Sequence, residues 1–209
     1  MTLRPGPALL RLTAVLAWLG LAAQLLASMH LALESGRPAL AGARALSYFT
    51  VLTNLLVALV TSACVAGRPA PLTRPAILAA VASYIFVVGL IYTLLLRALW
   101  TPTGVQLLAD VLLHDAVPLL YVVWWLGWGP RGMLGWGQPL AWLVWPLAYF
   151  VFALAHGALS GRYLYPFADV GALGIAVVAR NGALLLVLFT VLGLGAVARD
   201  RARWPAAPG

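Results

Sequence analysis

The chain has 209 residues, 64% of them hydrophobic and only 9% charged, with a mean hydropathy of +0.99. That excludes a soluble globular domain, where about a quarter of residues are charged, and a disordered chain, which is poor in apolar residues. The formal charge of +8 comes from arginines scattered singly, with no lysine anywhere, so it reports membrane topology and no nucleic-acid surface. A spanning helix takes about 20 residues, so six would occupy most of the chain and leave one membrane domain with short loops. Arginine in place of every lysine, with abundant Ala, Gly and Pro, points to a GC-rich bacterial genome and hence to the cytoplasmic (inner) membrane. The single cysteine, Cys64, excludes an internal disulfide and a cysteine-based metal cluster.

The expected fold class is all-α, an integral bundle of six transmembrane helices. Six apolar stretches run over residues 9–33, 46–65, 76–96, 105–128, 140–159 and 171–198. Ser35-Gly36-Arg37-Pro38, Gly67-Arg68-Pro69, Thr101-Pro102-Thr103-Gly104, Gly129-Pro130-Arg131-Gly132 and Ser160-Gly161-Arg162 punctuate them. With six spans both termini share a side, which collects Arg4, Arg11, Arg68, Arg74, Arg131, Arg199, Arg201 and Arg203. The opposite side has Arg37, Arg44, Arg97 and Arg162, so the arginine bias places both termini in the cytoplasm. Trp124, Trp125, Trp128, Trp142 and Trp145 read as an aromatic belt at the inner interface.

Polar groups inside a membrane are costly and are functional candidates by default. They gather in the outer half. The second stretch carries Thr50, Thr53 and Asn54, the fourth Asp110, His114 and Asp115, the fifth His156, and the sixth Arg180 and Asn181. Asp110 precedes His114 by one turn on the same face, where a carboxylate orients an imidazole. Pro118, four residues after His114, leaves that residue's carbonyl without its helical partner. Arg180 needs a counter-charge, and depth counting at 1.5 Å per residue pairs it with Asp115. The plain alternative is that these residues hydrogen-bond between helices. His30 and His156 lie roughly 10 Å from His114 in depth, too far for one shared ion, so no metal or other cofactor is expected.

Three blocks carry a resemblance. They are Ser47-Tyr48-Phe49-Thr50-Val51-Leu52-Thr53-Asn54, then Leu112-Leu113-His114-Asp115-Ala116-Val117-Pro118, then His156 with Gly161-Arg162-Tyr163-Leu164-Tyr165-Pro166-Phe167, Asp169 and Gly171. In order and spacing they resemble the androgen-induced family of multipass membrane proteins, in particular its bacterial six-helix relatives. The resemblance implies an intramembrane threonine hydrolase acting on lipid-like esters, such as fatty acid esters of hydroxy fatty acids. It maps the family threonine onto Thr50 and the family histidine onto His114, with Thr53 as a second candidate nucleophile. A threonine hydroxyl needs a base such as neutral histidine. Asp110 or Asp115 would orient that base, and Arg180, Asn54 or Asn181 would stabilise the oxyanion. Depth counting leaves about 8 Å between Thr50 and His114, to be closed by tilt or by a kink at Pro118. The expected partners are the bilayer and a membrane lipid or fatty-acid ester. The rival readings are a small transporter or proton relay through His114, Asp115 and Arg180, and a metal- or haem-binding protein.

Overall fold

The computed structural model describes residues 5–36, 38–67 and 71–202, and their regular structure is entirely helical. Arg4, Arg37, Arg68 and Arg203 of the topology count lie outside the described residues. The helices are α1 (Pro5–Glu34), α2 (Ala41–Leu46), α3 (Phe49–Val65), α4 (Pro75–Leu99), α5 (Gly104–Trp128), α6 (Gln138–Ser160), α7 (Val170–Leu173) and α8 (Ile175–Arg201). Five are long and apolar enough to cross a membrane, or six if the pair α2–α3, bent by 75°, counts as one span.

That bend corrects the second expected stretch, which runs unbroken in the sequence from residue 46. The Ser47 hydroxyl donates to the Ala43 carbonyl at 2.6 Å, and Tyr48 is extended (φ −92°, ψ 134°), so α3 begins at Phe49. The last stretch is likewise divided. Gly174 takes φ +76°, a left-handed conformation that favours glycine, and ends the short α7, which Asp169 caps by accepting from the Ala172 N–H at 3.0 Å.

The first and last described helices, α1 and α8, each have one end beside the end of α5. Gly6 abuts the Trp128 ring, where an added Cβ would sit 2.6 Å from a ring carbon, and Arg199 donates to the Trp125 and Leu126 carbonyls at 2.6 Å each. The opposite end of the bundle, here the loop end, holds Ser35, Thr101–Thr103 and residues 161–169. At the heart of the bundle is α4, apolar all round and buried almost without interruption from Leu78 to Val88. The tryptophan belt is corrected in part: Trp124, Trp125 and Trp142 are core residues. The loop after α5 and the end of α8 cover them, with the Arg199 guanidinium 4.3 Å above the Trp125 ring and Tyr84 donating to the Trp142 carbonyl at 2.5 Å. Trp128 alone of the α5 tryptophans is largely exposed. By contrast α6 and α8 leave most of their surface facing outward.

Candidate active site

A narrow cleft, with about 80 Å³ of free interior space, lies between α4, α6 and α8 near the loop end. Val87, Ile91, Pro146, Phe150, Leu185 and Phe189 make most of its wall apolar, and its polar side chains are Thr50, Tyr92, Tyr149 and Tyr165. Thr50 reaches it because α3 starts one residue earlier, which brings the free end of that helix to the wall. The phenol oxygen of Tyr165 accepts from the Phe49 N–H at 3.1 Å, satisfying one of the donors that every helix start leaves open. The Thr50 and Tyr149 hydroxyls lie beside the same phenol, and Tyr149 donates to the Ser47 carbonyl at 2.8 Å. Burial pushes the Tyr165 phenol above its ordinary range, against the opposing pull of those donors. The segment carrying Tyr165 folds inward because Gly157 makes room for the Tyr163 ring. A Cβ at residue 157 would stand 2.1 Å from that ring.

Beside the cleft, α4 and α5 each contain a π-helical turn, Tyr92–Leu96 and Leu112–Ala116. Such turns recur at functional sites. In α5 the cause is Pro118. The Val117 N–H donates to the Leu112 carbonyl five residues back, and proline has no N–H to offer the next carbonyl. The carbonyl so released belongs to Leu113, and the Asn54 side chain takes it at 3.0 Å. The carbonyl of His114, which the sequence marks as the orphan, packs against Gly89, where a Cβ would lie 3.1 Å from it.

Four side chains close over this junction. His114 Nδ1 is 3.1 Å from the Asp110 carbonyl and 3.2 Å from Asp110 Oδ1, though only the carbonyl has hydrogen-bond alignment. Tyr92 donates to Asp110 Oδ2 at 2.6 Å and stacks on the imidazole, with centroids 3.7 Å and planes 13° apart. The Arg97 guanidinium lies 5.0 Å from the centre of the Tyr92 ring. His114 Nε2 has no hydrogen-bond partner among the described residues.

The expected Asp115–Arg180 pair does not form. Asp115 pairs with Arg97, its neighbour across the short connection between α4 and α5. Arg180 is exposed on the outward stripe of α8 with Leu184, Val187 and Val191, and its nearest polar partner is Asn181 Oδ1 at 3.4 Å. Arg180 is therefore no oxyanion donor. Nor is Asn54, whose two N–H groups go to the Thr50 and Leu113 carbonyls, while Asn181 donates one N–H to the Phe167 carbonyl at 2.9 Å and does not line the cleft. Thr53 is wholly buried with its hydroxyl unpartnered, and it does not line the cleft. His156 meets Ser160 and the Phe152 ring, away from His114. Among the described residues no three His, Cys, Asp or Glu side chains gather as a metal site would require. The expected depth gap is not closed by a kink: Asn54 is level with Leu113, and Thr50 lies one turn, about 6 Å, nearer the loop end.

Sequence reading missed Tyr92, Arg97 and Tyr149. Arg97 ends an apolar stretch five residues after Tyr92, a signal that counting arginines for topology used up. Tyr149 carries no signal of its own. Comparison with protein-family models, curated proteins and solved structures returns no match.

Proposed function

We propose that the protein is an intramembrane hydrolase of lipid-like esters, with Thr50 as nucleophile and His114 as base. The observation that carries this reading is Thr50 on the wall of an apolar cleft, with its hydroxyl beside the Tyr165 phenol. The resemblance of the Thr50, His114 and Tyr165 blocks to the androgen-induced threonine hydrolases supports it. The acyl chain of a substrate such as a fatty acid ester of a hydroxy fatty acid lies along the cleft. The Thr50 proton passes through one water to His114 Nε2 while Oγ1 attacks the ester carbonyl. The alcohol leaves with that proton, and water then cleaves the acyl-threonine to release the carboxylic acid. Asp110 holds the imidazole with its proton on Nδ1. Tyr165, turning its hydroxyl hydrogen toward the carbonyl oxygen, supplies the oxyanion donor that Asn54 and Arg180 do not. Labelling by a fluorophosphonate probe in the wild type, absent in Thr50→Ala, is the expected result. Equal labelling of a folded Thr50→Ala protein would sink the threonine mechanism.

We place the chain in a bacterial inner membrane with both termini cytoplasmic, on the arginine bias. Cys64, near the termini end of α3, then resists a membrane-impermeant maleimide in intact cells while a cysteine at Ser35 reacts. Labelling of Cys64 from outside reverses the orientation.

A second reading, a proton or ion relay, is favoured by the buried Tyr92–Asp110–His114 group opening on the exposed Arg97–Asp115 pair, with Arg97 in the place expected for Arg180. Proton-coupled uptake in liposomes without ester turnover selects it.

A further inference from the structure

We propose that Tyr92 is a positioning residue and gate for His114. This rests on the reading of Thr50 and His114 as the reacting pair. Tyr92 lines the cleft and His114 does not, so the ring of Tyr92 stands between the cleft and the base. The ring is held by its face and by its hydroxyl, which the Trp100 side chain also meets. Its face lies flat on the imidazole, and its hydroxyl donates to Asp110 Oδ2, the other oxygen of the carboxylate that faces His114 Nδ1. Asp110 thus grips the gate and the base at once, and both grips sit where π-helical turns widen the helices.

The base is ready but covered. Nδ1 is engaged by Asp110, which leaves the unpartnered Nε2 as the atom able to take a proton, and the imidazole side chain is only 15% exposed. An entering chain that turns the Tyr92 ring aside breaks the phenol–carboxylate bond. The freed Asp110 oxygen then has Arg97 as a neighbouring cation, and Nε2 faces the cleft toward Thr50. Closed, the gate keeps the base apart from the cleft, and substrate entry opens it. Arg97, held by Asp115 beside the Tyr92 ring, limits how far the ring swings.

Carbethoxylation by diethyl pyrocarbonate, followed at each histidine by peptide mass spectrometry, tests this without any turnover. The chain has three histidines, and the His30 side chain, 77% exposed, is the internal standard. In detergent-solubilised wild type His114 should react far more slowly than His30. Tyr92→Phe keeps the stack but loses the bond to a charged group, so His114 should react about tenfold faster, with His30 and His156 unchanged. Tyr92→Ala should go further. In turnover, Tyr92→Phe should lower KM about tenfold without raising kcat, because binding no longer breaks that bond; a general loss of packing lowers kcat without lowering KM. Wild-type His114 reacting as fast as His30, or an unchanged rate in folded Tyr92→Phe, overturns the gate even where Thr50→Ala is inactive. Full turnover in Thr50→Ala overturns the hydrolase reading even where the labelling rises as expected.

Discussion

Asp115 forms its ion pair with Arg97, one helix back along the chain, and not with Arg180 across the bundle. Helices joined by a connection of only four residues, 100–103, are held side by side, so their facing polar groups meet whatever a depth count suggests.

The two side chains are 45% and 38% exposed, so solvent screening keeps the pair weak. A double-mutant cycle of Arg97→Ala with Asp115→Asn should therefore show a small, non-zero coupling in detergent melting. The cycle of Arg180→Ala with Asp115→Asn should be additive within roughly 0.5 kcal/mol. Coupling in the second cycle and none in the first would restore the pairing that the sequence suggested.

Asn54 and Pro118 form the sharper couple, since one supplies the hydrogen bond that the other removes. Asn54→Ala should cost about 1–2 kcal/mol, because the Leu113 carbonyl is left buried without a donor. In a Pro118→Ala background residue 118 regains an N–H for that carbonyl, and the same change should cost less than about 0.5 kcal/mol. Unfolding of the four proteins in detergent reads the difference. Strict additivity would mean that the carbonyl finds another partner.

The parts of this arrangement that were legible in the sequence are those set within one helix. Asp110 and His114 are four residues apart on α5, and helical geometry alone puts them together. The crowding of polar residues toward one end followed from counting along each apolar stretch. What the sequence hid depends on which helices are neighbours and on where helices depart from ideal geometry. The stacking of Tyr92 on His114 needs both α4 and α5, each with a π-helical turn, and a proline announces a disturbed ladder without saying which carbonyl pairs elsewhere. The placing of Tyr165 at the start of α3 is a contact across 116 residues. Only the family resemblance pointed to that block.

Tyr165 also ties the site to pH. Its phenol is held neutral by burial, so its pKa in the folded protein lies above the ordinary 10.0. A raised acid keeps its proton more tightly when folded, so this stabilisation is complete below about pH 10 and fades as pH rises through the folded value. Tyr165→Phe should lose about 1 kcal/mol at neutral pH, from the unsatisfied Phe49 N–H, and should show a shallower loss of stability above about pH 10. Melting curves from about pH 8 to 11 compare the two. An unchanged alkaline slope would show that the phenol is solvated.

Thr50 and Thr53 separate the chemical from the structural reading most directly, because they are the same residue type one turn apart in opposite circumstances. Thr53 is fully buried and its hydroxyl has no partner, so Thr53→Val keeps the shape and removes an unsatisfied group. That change should be neutral or stabilising by up to about 1 kcal/mol and should leave ester turnover intact. Thr50→Val keeps the same shape but removes the hydroxyl of a cleft-lining residue, and it should abolish turnover while the protein stays folded. Thr50→Ser, which restores a hydroxyl, should recover part of the rate. If Thr53→Val destabilises by about 1 kcal/mol or more, its hydroxyl has a buried water as partner. If Thr53→Val alone ends turnover, the nucleophile lies one turn deeper, away from the cleft, and the role assigned to Thr50 fails.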